Sequence, residues 1–408
     1  MKHSPSIMLL FLFSISVLYL FPSGASAQEG KEPSLEIGGV LDIPYTIMLP
    51  NQDSPIFNLQ YAGKPEPDIL STYPFTLYLN GDYQTAEMGV HIRTATTVSG
   101  ESDPSFLLYE LYGNYSPSDH SLIQFGKRNL RWGKGYAFTS VGYLSPEKDP
   151  EDPEASLAGY PLINTQFTWS FASDALNNIS VDFILLPAVP TGTVKQADAE
   201  YTGVAGKLYL MLWDTDIDIM GYYSKDKPTK YGMDFSRNIV SELEVHGELS
   251  RFQDEKKYLL SGGTLKMETI DGFAYLLGLR WLSSWNATTI FEYYHTDAGL
   301  TRNEFLQYRA YLSNVSKVYF SRPALMKDYL YLKVSQPEPF GIVDTSVSLY
   351  SIYNLNDRGV TAGLQIGYKP VTNLELSFQN ILFIGPESSE FGNKLSLYKA
   401  ILEVKLSF

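Results

Sequence analysis

The chain alternates apolar and polar side chains right up to its final residue. Leu406, Val404, Leu402, Ala400 and Tyr398 fall on one parity. Ser407, Lys405, Glu403 and Lys399 fall on the other, interrupted by Ile401. A side-chain period of two puts these sets on opposite faces of a β-strand. Charge cannot point cheaply into an apolar medium, so the Lys/Glu face has to meet water. The pattern recurs upstream. Leu374, Leu376, Phe378 and Leu382 oppose Glu375, Ser377 and Gln379, and Ile217, Ile219 and Tyr223 oppose Asp216 and Asp218. Phe273, Tyr275, Leu277, Leu279 and Trp281 oppose Arg280. Leu243, Val245 and Leu249 oppose Glu242, Glu244, His246 and Glu248, and Met88, Val90 and Ile92 oppose His91 and Arg93. A soluble sandwich imitates a few such strands but has little reason to repeat long two-faced ones to the last residue.

Composition narrows the solvent these faces meet. Charged residues make up only 19%, against 30 Tyr and 22 Phe. The net charge of −14 comes without a basic cluster, which excludes a nucleic-acid partner. Cys is absent, which removes disulfides, thiolate metal ligands, thiol nucleophiles and Cys-anchored haem. Residues 1–27 read as a secretory signal: Lys2, an apolar run from Ile7 to Phe21, Pro22-Ser23-Gly24, then Ala25-Ser26-Ala27 as the cleavage site. No later apolar run reaches the ~20 residues of a membrane helix, whereas a barrel strand crosses with ~9–11.

The expected fold is therefore all-β: a transmembrane antiparallel β-barrel of about 16 strands, within a range of about 14 to 18, the even count being usual for bacterial single-chain barrels. The expected strands are 75–80, 83–95, 105–116, 119–128, 161–173, 177–187, 201–213, 215–225, 231–252, 271–283, 286–296, 326–336, 341–353, 358–370, 372–384 and 393–408. Segment 231–252 reads either as one bulged strand or as two, and 35–43 or 257–267 would add strands. Asn80-Gly81-Asp82, Pro117-Ser118-Asp119 and Leu355-Asn356-Asp357 have the composition of hairpin turns. Residues 129–160 and 297–325 are the expected long outer connections, with 188–200 and 254–270 as shorter ones. Residues 28–72 form an N-terminal extension, either a plug segment or the first strand with a loop. Residues 73–408 form the barrel.

The least ordinary stretch runs from Gln124 to Tyr136. It starts as a strand and ends among glycines and cations, and Glu147, Asp149, Glu151, Asp152 and Glu154 follow. Folded inward, it would set Lys127, Arg128, Arg131 and Lys134 against acidic groups and filter solutes by charge and dipole. The alternatives are a solvated outer loop or a binding platform. Arg93, Glu110, Glu242, Glu244, Glu248, Arg280 and Glu292 have the parity of lumen residues, and the excess of acids suggests cation preference. Aromatic residues such as Tyr73, Tyr143, Trp169, Trp281 and Tyr329 suit interfacial girdles. No metal-ligand spacing, Gly-x-Ser-x-Gly elbow or phosphate loop is present, so neither an enzyme nor a metal or cofactor site is expected.

The signal, the alternating strands and the terminal Phe408 resemble the porin-like outer-membrane β-barrel proteins of Gram-negative bacteria. Arg131-Trp132-Gly133-Lys134-Gly135, Asp234-Phe235-Ser236-Arg237-Asn238-Ile239 and Glu292-Tyr293-Tyr294 are similar to segments of a less-characterised porin-like group. The Pro-Glu-Phe-Gly-Gly loop pattern of trimeric porins is absent. The resemblance implies an integral multi-pass protein of the outer membrane, delivered by the barrel-assembly machinery, surrounded by lipid, and passing small hydrophilic solutes or ions. Homo-oligomers are common in such families. Two other roles stay open: a barrel sheath around a multihaem cytochrome partner, and a structural or adhesive barrel.

Overall fold

The computed structural model describes residues 33–100, 102–155, 157–187, 202–261, 264–312 and 323–408. The signal segment and the expected connection 188–200 lie outside the described residues. Nineteen strands form one sheet that closes on itself. The first part contains β1 (Ser34–Pro50), β2 (Leu70–Thr72), β3 (Phe75–Gln84), β4 (Met88–Val98), β5 (Ser105–Ser118) and β6 (Ser121–Arg128). It continues through β7 (Tyr160–Ser170), β8 (Leu176–Leu186), β9 (Gly203–Leu212), β10 (Thr215–Tyr223), β11 (Thr229–Val240), β12 (Leu243–Ser261) and β13 (Thr264–Leu282). It ends with β14 (Thr288–Thr296), β15 (Asp328–Pro337), β16 (Thr345–Asn354), β17 (Val360–Val371), β18 (Leu374–Ile384) and β19 (Ser396–Ser407). Two short helices, α1 (Pro55–Tyr61) and α2 (Arg302–Leu312), lie in connections.

Eighteen of these strands make the barrel and β2 is the extra piece. It pairs with Thr46–Met48 of β1, directly above the pairing of β1 with β3. Tyr73 and Pro74 separate the two, and proline has no N–H to offer a ladder. Closure is made by β1. Its first half pairs antiparallel with β3 and its second half with β19, from Val40 opposite Ser407 to Pro50 opposite Ser396. Phe408 continues the seam: its amide donates to the Gly39 carbonyl at 3.0 Å, and the Gly39 amide donates to the Phe408 carbonyl at 2.9 Å.

The count rises from the expected 16 for two reasons. Residues 34–50 are the first strand, and segment 231–252 breaks into β11 and β12 at Ser241-Glu242. Two other expectations are corrected. Residues 254–270 are not an outer connection but lie largely in the β12–β13 hairpin, whose ladder extends to Ser261 opposite Thr264. Asn80-Gly81-Asp82 is not a turn but lies within β3, opposite Ile92 and its neighbours. Turn-forming side chains are tolerated there because Asn80 and Asp82 face the polar interior, where Asp82 meets the His91 ring at 2.6 Å.

The distribution of side chains is the inverse of a soluble protein's. Phe183, Ile219, Leu277, Leu349, Phe378 and Leu402 are exposed on the outside, while Asp234, His246 and Glu292 are buried inside. Leaving a large apolar side chain in water forgoes ~1.5–3 kcal/mol, so a continuous outer band requires lipid. Of the girdle candidates, Tyr73, Trp169 and Trp281 are exposed, but Tyr329 is buried and Tyr143 reaches Ser250 on the inner wall. Connections at one end of the cylinder span two to seven residues, and the longer 51–74, 129–159, 297–327 and 385–395 all emerge at the other end. Short turns belong on the periplasmic side and long loops outside.

Candidate functional site

The connection between β6 and β7 does not stay outside. Residues 129–159 fold into the barrel and bind its inner wall. Trp132, Val141 and Leu144 pack with Leu162, Ile184, Met220 and Tyr222, whose parity points them inward. Ala137 and Phe138 join a second cluster with Leu276, Ile290, Tyr329 and Tyr331. An open water-filled bore would leave these wall residues wet, so the loop supplies their apolar cover. Phe138 stacks on Tyr294 with ring centroids 4.8 Å apart.

Two carboxylates of the wall hold the loop's backbone. Glu248 accepts from the amides of Lys134 at 2.8 Å and Gly135 at 2.7 Å, and from the Thr139 hydroxyl at 3.0 Å and the Ser140 hydroxyl at 3.1 Å. The Ser140 amide also donates to it. Glu292 accepts from the Ala137 amide at 2.9 Å and from the Tyr136 amide. A carboxylate has about four lone-pair sites, so the loop donors fill Glu248 and take about half the capacity of Glu292. Gly133 permits the approach. Its φ is +103°, and a Cβ there would lie 2.6 Å from Glu248 Oε1.

Charged side chains complete the attachment. Lys134 Nζ lies 2.9 Å from Asp218 and 3.7 Å from Asp234, and Lys207 approaches Asp218 from the other side at 3.3 Å. His246 sits between Glu292 at 3.2 Å and Glu244 at 3.5 Å. Glu244 also accepts from the Tyr136 hydroxyl at 3.2 Å and lies 3.6 Å from Arg280. Lys148, in the loop, donates to the Gly135 carbonyl at 2.5 Å, and burial lowers its pKa from the usual lysine range. The acidic second half of the loop reaches the opposite arc of wall. Glu151 lies 3.0 Å from Lys394 and 3.8 Å from Lys399, and Glu154 lies 3.1 Å from Lys333.

A basic and aromatic strip on β3 to β6 is not used by these anchors. Arg128 lies over the Tyr112 ring at 4.7 Å. Arg93 lies between the Tyr78 and Tyr109 rings, 5.9 and 5.7 Å from their centroids. Glu110 accepts from the Asn129 amide at 2.9 Å and approaches His91 at 3.7 Å. Arg131, Asp149 and Asp152 are exposed on the loop. Enclosure by surrounding protein raises the pKa of Asp149 and Asp152, and Lys405 partly offsets this for Asp152.

The structure thus divides the expected lumen residues. Arg93, Glu110 and Arg128 lie on this strip, and Arg131 is exposed on the loop within reach of Lys148. Lys134, Glu244, Glu248, Arg280 and Glu292 belong to the loop attachment. Two do not belong to the interior. Lys127 pairs with Leu111 and Pro161 on the face of Phe125, the outer one, and its ammonium donates to the Leu108 carbonyl at 2.5 Å. Glu242 sits exposed in the two-residue turn before β12, where strand parity no longer applies. Asp234, Lys207, Lys148 and Lys394 were missed. Asp234 shares the parity of Asp218 across the hairpin, a signal available once β10 and β11 are paired. Lys148 and Lys394 sit in loops, where no periodicity marks direction.

Neither a family model nor a curated protein matches this chain. Solved structures do. OccK2 (OpdF) of Pseudomonas aeruginosa superposes with a TM-score of 0.57 at 8% identity, covering 92% of this chain and 97% of that one. OccAB3 of Acinetobacter baumannii gives 0.54 at 10% identity, covering 92% and 99%. A structure of OccK2 in complex with glucuronate gives 0.55 at 8% identity, covering 92% and 98%. The closed barrel with its apolar outer band is the fold of porin-type outer-membrane channels. The chain is an integral, multi-pass protein of the Gram-negative outer membrane.

Proposed function

We propose that the protein is a semi-selective diffusion channel for small hydrophilic solutes, narrowed by the loop 129–159. The observation that carries this reading is the set of loop amides held by Glu248 and Glu292, which fixes a polypeptide inside the barrel without needing to seal it. Solute passes on the side of the Arg93–Arg128 strip, with Arg131 and the loop acids Asp149 and Asp152 as the charged rim. A basic strip facing acids orients a dipolar or anionic solute as it sheds water. The glucuronate complex of OccK2 supports including small hydroxylated acids among the solutes. No covalent chemistry is required, and the porin-type neighbours support a non-enzymatic role.

A sheath around a multihaem cytochrome needs a broad empty bore. The loop and its two apolar clusters occupy that space, which favours the channel. The test is the reversal potential in planar bilayers under a salt gradient. Replacing Arg128→Gln and Arg131→Gln together shifts the selectivity toward cations while heat-modifiable migration stays intact. An unchanged reversal potential in the inserted variant rejects the rim assignment.

A further inference from the structure

Below the loop attachment the inner wall of β7 to β9 carries a concavity of about 310 Å³, lined by Gln166, Asn178, Ser180, Asp182, Lys207 and Tyr209 among others. It lies toward the periplasmic end: Asn178 is near the start of β8, which follows the short turn after Ser170. We propose that it is a binding subsite for a neutral polyhydroxylated molecule of monosaccharide size, met by solute after the loop. This rests on the channel reading only for the route by which the ligand arrives.

The lining favours a neutral hydroxylated ligand over an anion. Its ammonium, Lys207, is already engaged with Asp218 at 3.3 Å, and its carboxylate, Asp182, stands opposite Lys207 in the β8–β9 ladder. Among the described residues no uncompensated cation faces the space, so a carboxylate ligand gains little there. The remaining groups are amides and hydroxyls with capacity to spare. Ser180 shares one hydrogen bond with Thr168 at 3.0 Å, Asn178 donates to Ser170 at 3.1 Å, and Asp182 accepts from Asn164 at 3.3 Å and from Gln166. An amide offers two donors and an acceptor, and a carboxylate about four acceptor sites.

The grid also has the right pitch. Cross-strand neighbours stand ~5 Å apart and alternate residues of one strand ~7 Å apart. A six-membered ring bearing a hydroxyl on most of its carbons can meet several such groups at once. The Tyr209 ring, held by its hydroxyl's bond to Asp216 and with the Lys134 ammonium 5.8 Å from its centroid, lines the space as its aromatic wall. The concavity adjoins a chain of amides, Asn114 to Gln124 at 2.9 Å and Gln124 to Asn164 at 3.2 Å, that carries the neutral polar surface across β5 to β7.

The test is calorimetric titration of the folded full-length barrel in detergent with D-glucose and, separately, D-glucuronate, paired with current recordings in planar bilayers. D-glucose binding that weakens about tenfold in both Asp182→Asn and Asn178→Leu supports the subsite, tenfold being the loss of one hydrogen bond involving a charged or buried group. Two variants are used so that a folding defect in one, seen as lost heat-modifiable migration, leaves the other decisive. Absence of D-glucose binding, or binding equal in wild type and both variants, overturns it. Binding of D-glucuronate alone, unaffected by these substitutions, also overturns it and moves recognition to the Arg93–Arg128 strip. Glucose binding by a barrel that conducts no ions keeps the subsite and removes the channel.

Discussion

Glu248 and Lys127 show how far strand parity reaches at the scale of a residue. Parity correctly sends Glu248 inward, as it does Glu110, Glu244 and Glu292. It cannot say that Glu248 meets loop amides rather than water, because its partners lie more than a hundred positions away in sequence. For Lys127 the basic run Lys127-Arg128 hides that consecutive strand residues face opposite sides, so only Arg128 looks into the barrel. The absence of Cys makes this testable by single-cysteine labelling. A charged thiol reagent added to Arg131→Cys channels reduces the current, whereas Lys127→Cys channels conduct unchanged. Equal block of both would place Lys127 in the pore. The loop acids add a pH dependence. Enclosure raises the pKa of Asp149 and Asp152, so on acidification they lose charge before ordinary carboxylates do. Their pull on cations therefore weakens as pH falls through a range still above that of ordinary Asp side chains, and the measured selectivity moves toward anions. Selectivity that holds steady until ordinary carboxylates titrate would show that these two acids do not face the path.

Elements were legible where one face meets lipid and the other water. β18 and β19 have that contrast over their whole length, and their expected spans differ from the observed ones by only a few residues. Legibility failed where turn-forming residues sit inside a wet strand, as at Gly81, and where one turn is too short to interrupt an alternating run, as at Ser241-Glu242. For β1 it reached only the first half: residues 35–43 read as an optional added strand, whereas the observed strand runs on through Pro44 to Pro50 and carries the seam. Gly39 is the tight point of that seam. A Cβ there would lie 2.4 Å from the Phe408 ring and 2.8 Å from the Tyr78 carbonyl oxygen. The ring can swing away but the carbonyl cannot move without straining the β1–β3 pairing. Gly39→Val therefore costs about 1–3 kcal/mol in overpacking. Refolding from urea into lipid vesicles, read by heat-modifiable migration, yields a smaller folded fraction for this variant. Wild-type yield would mean that the seam has slack.

At the scale of the whole molecule, the closed cylinder was legible because lipid demands that every backbone group find a partner within the sheet. The inward path of residues 129–159 was legible only as one of three alternatives. Its determinants are contacts between a glycine-containing loop and acids on β12 and β14, far apart in sequence. In the proposed channel this loop, held by Glu248 and Glu292, limits an otherwise wider water-filled bore. Replacing both with Ala leaves several loop donors without partners, at ~1–3 kcal/mol for each buried one. The most direct measurement is single-channel conductance in planar bilayers of the wild-type protein and the Glu248→Ala/Glu292→Ala variant. The wild type is expected to conduct and the variant to show a larger or more variable conductance. A wild type that inserts and does not conduct, or a variant with unchanged conductance, would rule out the loop-narrowed channel.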